Sequence, residues 1–203
     1  MQIKLDKNTI TPELKRLMSA CKSPVVVMQA GAKAVQVGIS KHLKQLQGRG
    51  NEKGWPSKQF FAGGPTSVER KVGIKSVTGT SAEITIADPR FVHRITGGKV
   101  SAKRVKFLAI PLTAEAYAAG GKGSIREAMP GLKVVRSNGG LFLAKEASGK
   151  RGTKAQVQML FKLVASVTHR PHPDEMPDEK ALGAAARVAM ERAARLLMRG
   201  TGQ

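Results

Sequence analysis

Apolar positions step by three and four in three stretches of the chain and alternate in the middle. Thr11-Pro12-Glu13 carries a helix-start signal, a capping hydroxyl followed by proline and an acid at the positive end of the dipole. Leu14, Leu17, Met18 and Cys21 then share one face. Ser23-Pro24 repeats the signal. Met28, Ala32, Val35, Ile39, Leu43 and Leu46 follow at helical spacing, with Lys33, Lys41 and Lys44 elsewhere on the wheel. The pattern predicts a long helix from Pro24 to about Gln47, stopped at Gly48 or Gly50. Gly38 lies inside it, either as a mild cost or as a point of close packing. Near the other end Asp178 caps a helix from Glu179 to about Arg199. Leu182, Ala185, Ala189, Ala193, Leu196 and Leu197 form its expected apolar face, and Arg187, Arg192, Arg195 and Arg199 its cationic side.

Between these helices the period shortens to two. Val68 to Val77 and Ala82 to Ala87 flank Thr78-Gly79-Thr80, which predicts a hairpin. Phe91, Val92 and Ile95 suit a short helix ended by Gly97-Gly98. Lys103 to Ile110 reads as a strand ended by Pro111, and Thr113 caps a short helix to Ala119. Leu132 to Val135 and Leu141 to Ala144 bracket Asn138-Gly139-Gly140, a strong hairpin turn. Met159 to Val167 is a further β-rich run, and prolines keep Thr168 to Pro177 extended. The expected fold class is α+β: an antiparallel β-sheet core with an N-terminal helical hairpin and a long C-terminal helix. A single domain over residues 1–203 is expected, with helices in 1–48, mainly β structure in 66–167 and the last helix in 178–199. Residues 49–58, the Gly-rich segment 120–130 and the basic turn 145–154 read as loops that order only in an assembled particle.

Composition narrows the classes. Of 203 residues 41% are hydrophobic and 24% charged, as in globular domains, while only 4% are aromatic. The core is therefore aliphatic, and a surface of stacking platforms is not expected. A single cysteine excludes an intrachain disulfide framework and any zinc site built on several cysteines. Met1 to Lys7 alternates apolar and charged residues, which reads as a strand and not as a leader. The apolar runs are short, so a soluble chain made in a cytoplasm and independent of membranes is expected. Charge changes the picture most. Thirty-five Lys and Arg against 14 Asp and Glu leave +21. Residues 1–56, 57–112 and 113–203 each net +7, so the positive field is expected to belong to the whole fold. Its natural partners are anionic: nucleic acid, an acidic lipid surface or an acidic protein.

Candidate chemistry is sparse. His169 and His172 stand near Asp174 and Glu175, but the prolines remove the helical face a metal site at that spacing needs. No metal and no other cofactor is expected. Gly120-Gly121-Lys122-Gly123-Ser124 lacks the spacing of a phosphate loop, and no serine sits in a nucleophile elbow. No catalytic residue is therefore assigned and no enzyme is expected. No zinc finger, aromatic RNA-binding pattern or basic region with heptads is present. Two clusters, Lys99/Lys103/Arg104/Lys106 and Lys150/Arg151/Lys154, are the candidate contacts to DNA or to a partner. Trp55, Ala189 and Arg195 are the candidate interface residues.

Three stretches carry a resemblance. Gly54-Trp55-Pro56 follows the helical region and precedes Phe60. Arg90-Phe91-Val92-His93 leads into Gly97-Gly98 and then Phe107-Leu108-Ala109-Ile110-Pro111. Leu141-Phe142-Leu143 precedes Leu160-Phe161-Lys162-Leu163, Met176-Pro177 and the Ala/Arg helix. In this order, over about residues 25–199, the chain resembles the tail-completion or virion morphogenesis proteins of tailed bacteriophages, which join tail to head. It departs from them in the Gly-rich 120–130 segment and in its charge. The resemblance implies a small non-catalytic α+β subunit, made in the host bacterial cytoplasm. It would assemble as a ring, a hexamer by expectation, in the neck or at the head-proximal end of the tail. Tail-tube or tail-terminator and head-tail connector proteins would be its neighbours, with non-specific contact to genomic DNA in the lumen. The alternative left open by the residues is a non-specific nucleic-acid-binding protein.

Overall fold

The computed structural model describes residues 24–50, 53–55, 58–120, 124–147 and 156–199. It is α+β, with antiparallel sheets and long helices toward both ends. The expected first arm of the N-terminal hairpin, around Thr11 to Cys21, lies outside the described residues. Contacts gather into two compact units. One takes residues 1–49, 58–92 and 173–203, the other 50–57 and 93–172.

In the first unit, α1 runs over Pro24–Gly48 and buries Ala32, Ile39, Leu43 and Leu46, the expected stripe. The C-terminal helix, here α5 (Glu179–Arg199), packs against it. Asp178 caps α5 by accepting the Lys180 backbone N–H at 3.0 Å. The two helices meet at glycines. A Cβ at Gly31 would lie 2.8 Å from Met190 Cγ, and one at Gly38 2.6 Å from Leu182 Cδ2. Gly38 is thus a point of close packing. The apolar face of α5 needs correction: Leu182, Ala186, Ala189, Met190, Ala193 and Leu197 are half-buried, while Ala185 and Leu196 point outward with Val188. The line 182–186–190–193–197 follows the 3.6-residue period that faces the glycines of α1.

Strands β1 (Val72–Val77) and β2 (Ala82–Ile86) form the expected hairpin, with a bulge between Ile74 and Ser76. Thr78 Oγ1 closes the turn by accepting the Thr80 and Ser81 backbone N–H groups. Gln36 Nε2 donates to Val72 O at 3.1 Å and ties α1 to β1. Val68–Lys71 is a 3-10 turn and not the start of the strand. The cause is tertiary: the Val68 and Glu69 N–H groups donate to Phe60 O and Phe61 O at 2.9 Å, so their backbone is already bonded elsewhere.

Helix α2 covers Pro89–Thr96. Asp88 caps it, its Oδ1 accepting from the Arg90 N–H at 2.9 Å and the Phe91 N–H at 3.3 Å. The Arg90 guanidinium returns to the same carboxylate, Nε to Oδ1 at 3.0 Å and Nη2 to Oδ2 at 2.6 Å. Nη2 also donates to Thr66 O at 2.6 Å, and the group lies 5.4 Å from the Phe60 ring centroid. One buried acid therefore fixes a helix start, an arginine rotamer and the 60–66 loop together.

The second unit is built on a four-stranded antiparallel sheet in the order β4 (Leu108–Pro111), β7 (Gln156–Val164), β6 (Gly140–Ala147), β5 (Lys133–Ser137). Asn138 and Gly139, at φ 46° and 72°, make the β5–β6 turn that the Asn-Gly pair predicts. Helices α3 (Ala114–Ala119) and α4 (Ile125–Ala128) cover one side of the core. Ala116, Met129, Leu160 and Phe161 are buried there with Ala109, Ile125, Leu132 and Leu143 against them. Leu160 and Phe161 are adjacent yet both buried. A register shift between Leu143 and Ala144 leaves Leu160 without a direct partner and breaks the alternation. Thr113 Oγ1 caps α3 by accepting the Ala116 N–H at 3.2 Å. The Gly-rich 120–130 segment is corrected in its second half, which holds α4 and the buried Met129. A second ladder pairs β3 (Gly98–Ser101) with β8 (Ser166–His169). Gly97 and Gly98 start it at φ 69° and 129°, and a Cβ on Gly97 would lie 2.8 Å from Pro171 N.

Candidate functional site

The segment read as one strand, Lys103 to Ile110, divides in the structure. Only Leu108–Pro111 is strand, and it pairs with Phe161–Val164. Upstream, Gly98–Ser101 pairs with Ser166–His169. On one side the chain passes from Ser166 to Val164 through Ala165 alone. On the other it passes from Ser101 to Leu108 through the six residues 102–107. The Ala102 N–H donates to Ala165 O at 3.1 Å, so the excursion leaves and rejoins the ladder at fixed points. It resembles a bulge enlarged into a loop.

The first cationic cluster is split by this geometry. Lys103, Arg104 and Lys106 are exposed on the excursion, with Val105 64% exposed between them. Phe107 is half-buried at the far root, and the Lys106 ammonium lies 5.8 Å from its ring centroid. Lys99 is exposed but sits in the β3 ladder opposite Thr168. Lys150, Arg151 and Lys154 lie outside the described residues. No acidic residue occurs between Asp88 and Glu115. In this unit Lys133 pairs with Glu146 at 2.7 Å and holds the Glu146 carboxyl below the usual carboxylate range.

The fold also divides the charge unevenly. The second unit holds 16 Lys and Arg against 4 Asp and Glu, net +12 in 88 residues; the first holds 19 against 10, net +9 in 115. Three consecutive segments of equal net charge hide this, because the first unit takes 10 of the 14 acidic residues.

Trp55 is half-buried and packs on Tyr117, with ring centroids 5.2 Å apart, while Lys53 Nζ lies 4.6 Å from the Trp55 ring. Ala189 is on the side of α5 that meets α1, and Arg195 is exposed on the opposite side. The histidines have structural surroundings. His42 Nε2 lies 3.0 Å from Glu175 O. The His93 and His169 rings meet edge to face at 5.7 Å, with His93 Nε2 buried and lacking a hydrogen-bond partner. Among the described residues no group of three or more His, Cys, Asp or Glu is placed to hold a metal ion. A shallow groove of about 400 Å³ is lined by Gln36, Val37, Ser40, Lys41, Lys44 and Glu69, and two of these, Lys44 and Glu69, form an ion pair at 3.1 Å. No helix among the described residues is long and apolar enough to cross a membrane. Comparison with family models, curated proteins and solved structures returned no match.

Sequence reasoning missed the excursion. Its signal was weak: Lys103-Arg104-Val105-Lys106 has a single apolar residue in four, too little for a strand with a buried face.

Proposed function

We propose that this chain is a structural, non-catalytic virion protein of a tailed phage. It forms a ring in the neck or at the head-proximal end of the tail, completing the tail and joining it to the head. The observation that carries this reading is the ordered set of motifs from Gly54-Trp55-Pro56 to the Ala/Arg helix. Those motifs fall on framework positions: Trp55 against Tyr117, Arg90 on Asp88, Gly97-Gly98 at the start of β3, Phe161 in the core. The outer side of α5 adds support. Val188 and Leu196 are 63% and 54% exposed beside Ala181, Ala184 and Ala185, with the exposed Arg192 and Arg195 among them, a mixed apolar and cationic face that a neighbouring subunit would cover. Light scattering of the purified chain tests the reading, together with electron microscopy of particles made without it. A closed ring and unjoined heads and tails are expected. A monomer whose removal leaves joined particles overturns it.

The second reading, a non-specific nucleic-acid-binding protein, is favoured by the basic excursion. A monomer that binds duplex DNA with a steep salt dependence, and has no effect on particle joining, selects it.

A further inference from the structure

We propose that the 102–107 excursion is a phosphate-backbone contact for duplex DNA, made by Lys103, Arg104 and Lys106, with Lys99 outside it. In naming DNA as the partner this rests on the reading above, which puts a genome beside the chain; the binding itself does not require a ring.

Two ladders that a single residue connects on one strand are connected by six on the other. Such an insertion costs chain entropy and adds no ladder hydrogen bonds. Its roots, Ala102 and Phe107, are half-buried, but the four residues between them, Lys103, Arg104, Val105 and Lys106, are all exposed and add no burial. Its roots are fixed, by Ala102 to Ala165 on one side and Leu108 to Val164 on the other. A short loop held on a rigid base keeps its cations in register, so less freedom is lost on binding. Three cations in four positions, without a neighbouring acid in sequence, repel one another and gain by meeting dense negative charge.

The form of that charge follows from what the loop lacks. Duplex DNA carries one phosphate charge per ~1.7 Å of axis, so three adjacent cations are neutralised together. Single strands are held largely by stacking on aromatic rings, and the only ring here, Phe107, is half-buried at the root. Base reading requires an element seated in a groove, usually with Asn, Gln or Arg aimed at base edges. The excursion is neither a helix nor a paired ribbon that a groove admits, so Arg104 has no element to seat it against base edges and the contact is indifferent to sequence.

The test uses the full chain and fluorescence anisotropy on a labelled duplex across a salt series, with circular dichroism and light scattering on the same samples. The variants are the triple Lys103→Gln/Arg104→Gln/Lys106→Gln, each of its single substitutions, and Lys99→Gln. The triple variant is expected to keep its fold and lower the slope of log affinity against log salt by about 2–3, and each of its singles by about 1. Between about 50 and about 200 mM salt, its deficit relative to the native chain should shrink by roughly 40-fold. Lys99→Gln should leave the slope near the native value. The singles decide the matter if the triple variant misfolds. A native slope in folded excursion variants overturns the proposal. So does a loss on poly-glutamate as large as that on duplex, which assigns the loop to an acidic protein surface. Loop-dependent DNA binding by a chain that never forms a ring supports the inference and sinks the phage reading.

Discussion

The two units are held by different means. In the first, charge is matched to charge: Lys44 with Glu69, Lys75 with Glu83, Arg187 with Glu191, and Arg90 with the buried Asp88. Its helices close on each other because Gly31 and Gly38 remove the side chains that would keep them apart. The second unit rests on an apolar cluster around Leu160 and Phe161 and turns its cations outward. Exposed ion pairs contribute only ~0–1 kcal/mol each, so the matching in the first unit matters mainly where the acid is buried. The lesson is that the same excess of lysine and arginine has two uses. Where acids are frequent, several cations are paired within the fold; where they are few, fewer are, Lys133 with Glu146 among them.

That contrast is breakable at several points. The largest effect belongs to the second unit's core. Phe161, 1% exposed, should cost about 3–5 kcal/mol on substitution by Ala, read by denaturant unfolding. A loss below that of the next variant would mean that the apolar cluster is not what holds this unit. Asp88→Ala in the first unit should cost about 2–3 kcal/mol, because it removes a helix cap and leaves Arg90 without its bidentate partner. The Arg90 hydrogen bonds, ahead of the backbone N–H groups, hold the Asp88 carboxyl below its usual value against the opposing effect of burial. Its stabilisation is therefore fully present above the unfolded-state value of about 3.9 and is lost as pH falls through the lower folded value. Thermal melts below about pH 4 should show a steeper acid loss in the native chain than in Asp88→Asn. Equal acid limbs would remove Asp88 from the account.

Gly31→Leu should cost about 1–3 kcal/mol by pushing against Met190 and separating α1 from α5. A variant as stable as the native chain would show that the helix pair yields without loss. Smallest of all, the triple glutamine variant of the excursion should change folding stability by less than about 0.5 kcal/mol, since it touches neither core nor ladder. A larger loss would make those cations structural and bring the two units into line.

Much of this was legible in the chain because it is local. The caps at Thr113 and Asp178, the Asn138-Gly139 turn, the Thr78 turn and the buried stripe of α1 each depend on bonds or spacings within a few residues. The cluster Lys99, Lys103, Arg104 and Lys106 was also visible as a run of cations, and so was the α+β class. What the tertiary structure decided involves partners far along the chain. Val68–Lys71 became a 3-10 turn because the Val68 and Glu69 N–H groups donate to Phe60 O and Phe61 O. Leu160 and Phe161 share the core because the facing strand shifts register at Leu143 and Ala144. The outward turn of Leu196 follows from where α5 meets Gly31 and Gly38. Lys99 was separated from Lys103, Arg104 and Lys106 because Ala165 alone spans, on the opposite strand, what six residues span here. A sequence records which residues neighbour one another along the chain. Register, burial and the sharing of charge between units are set by which distant segments pair, and only the folded chain makes that choice.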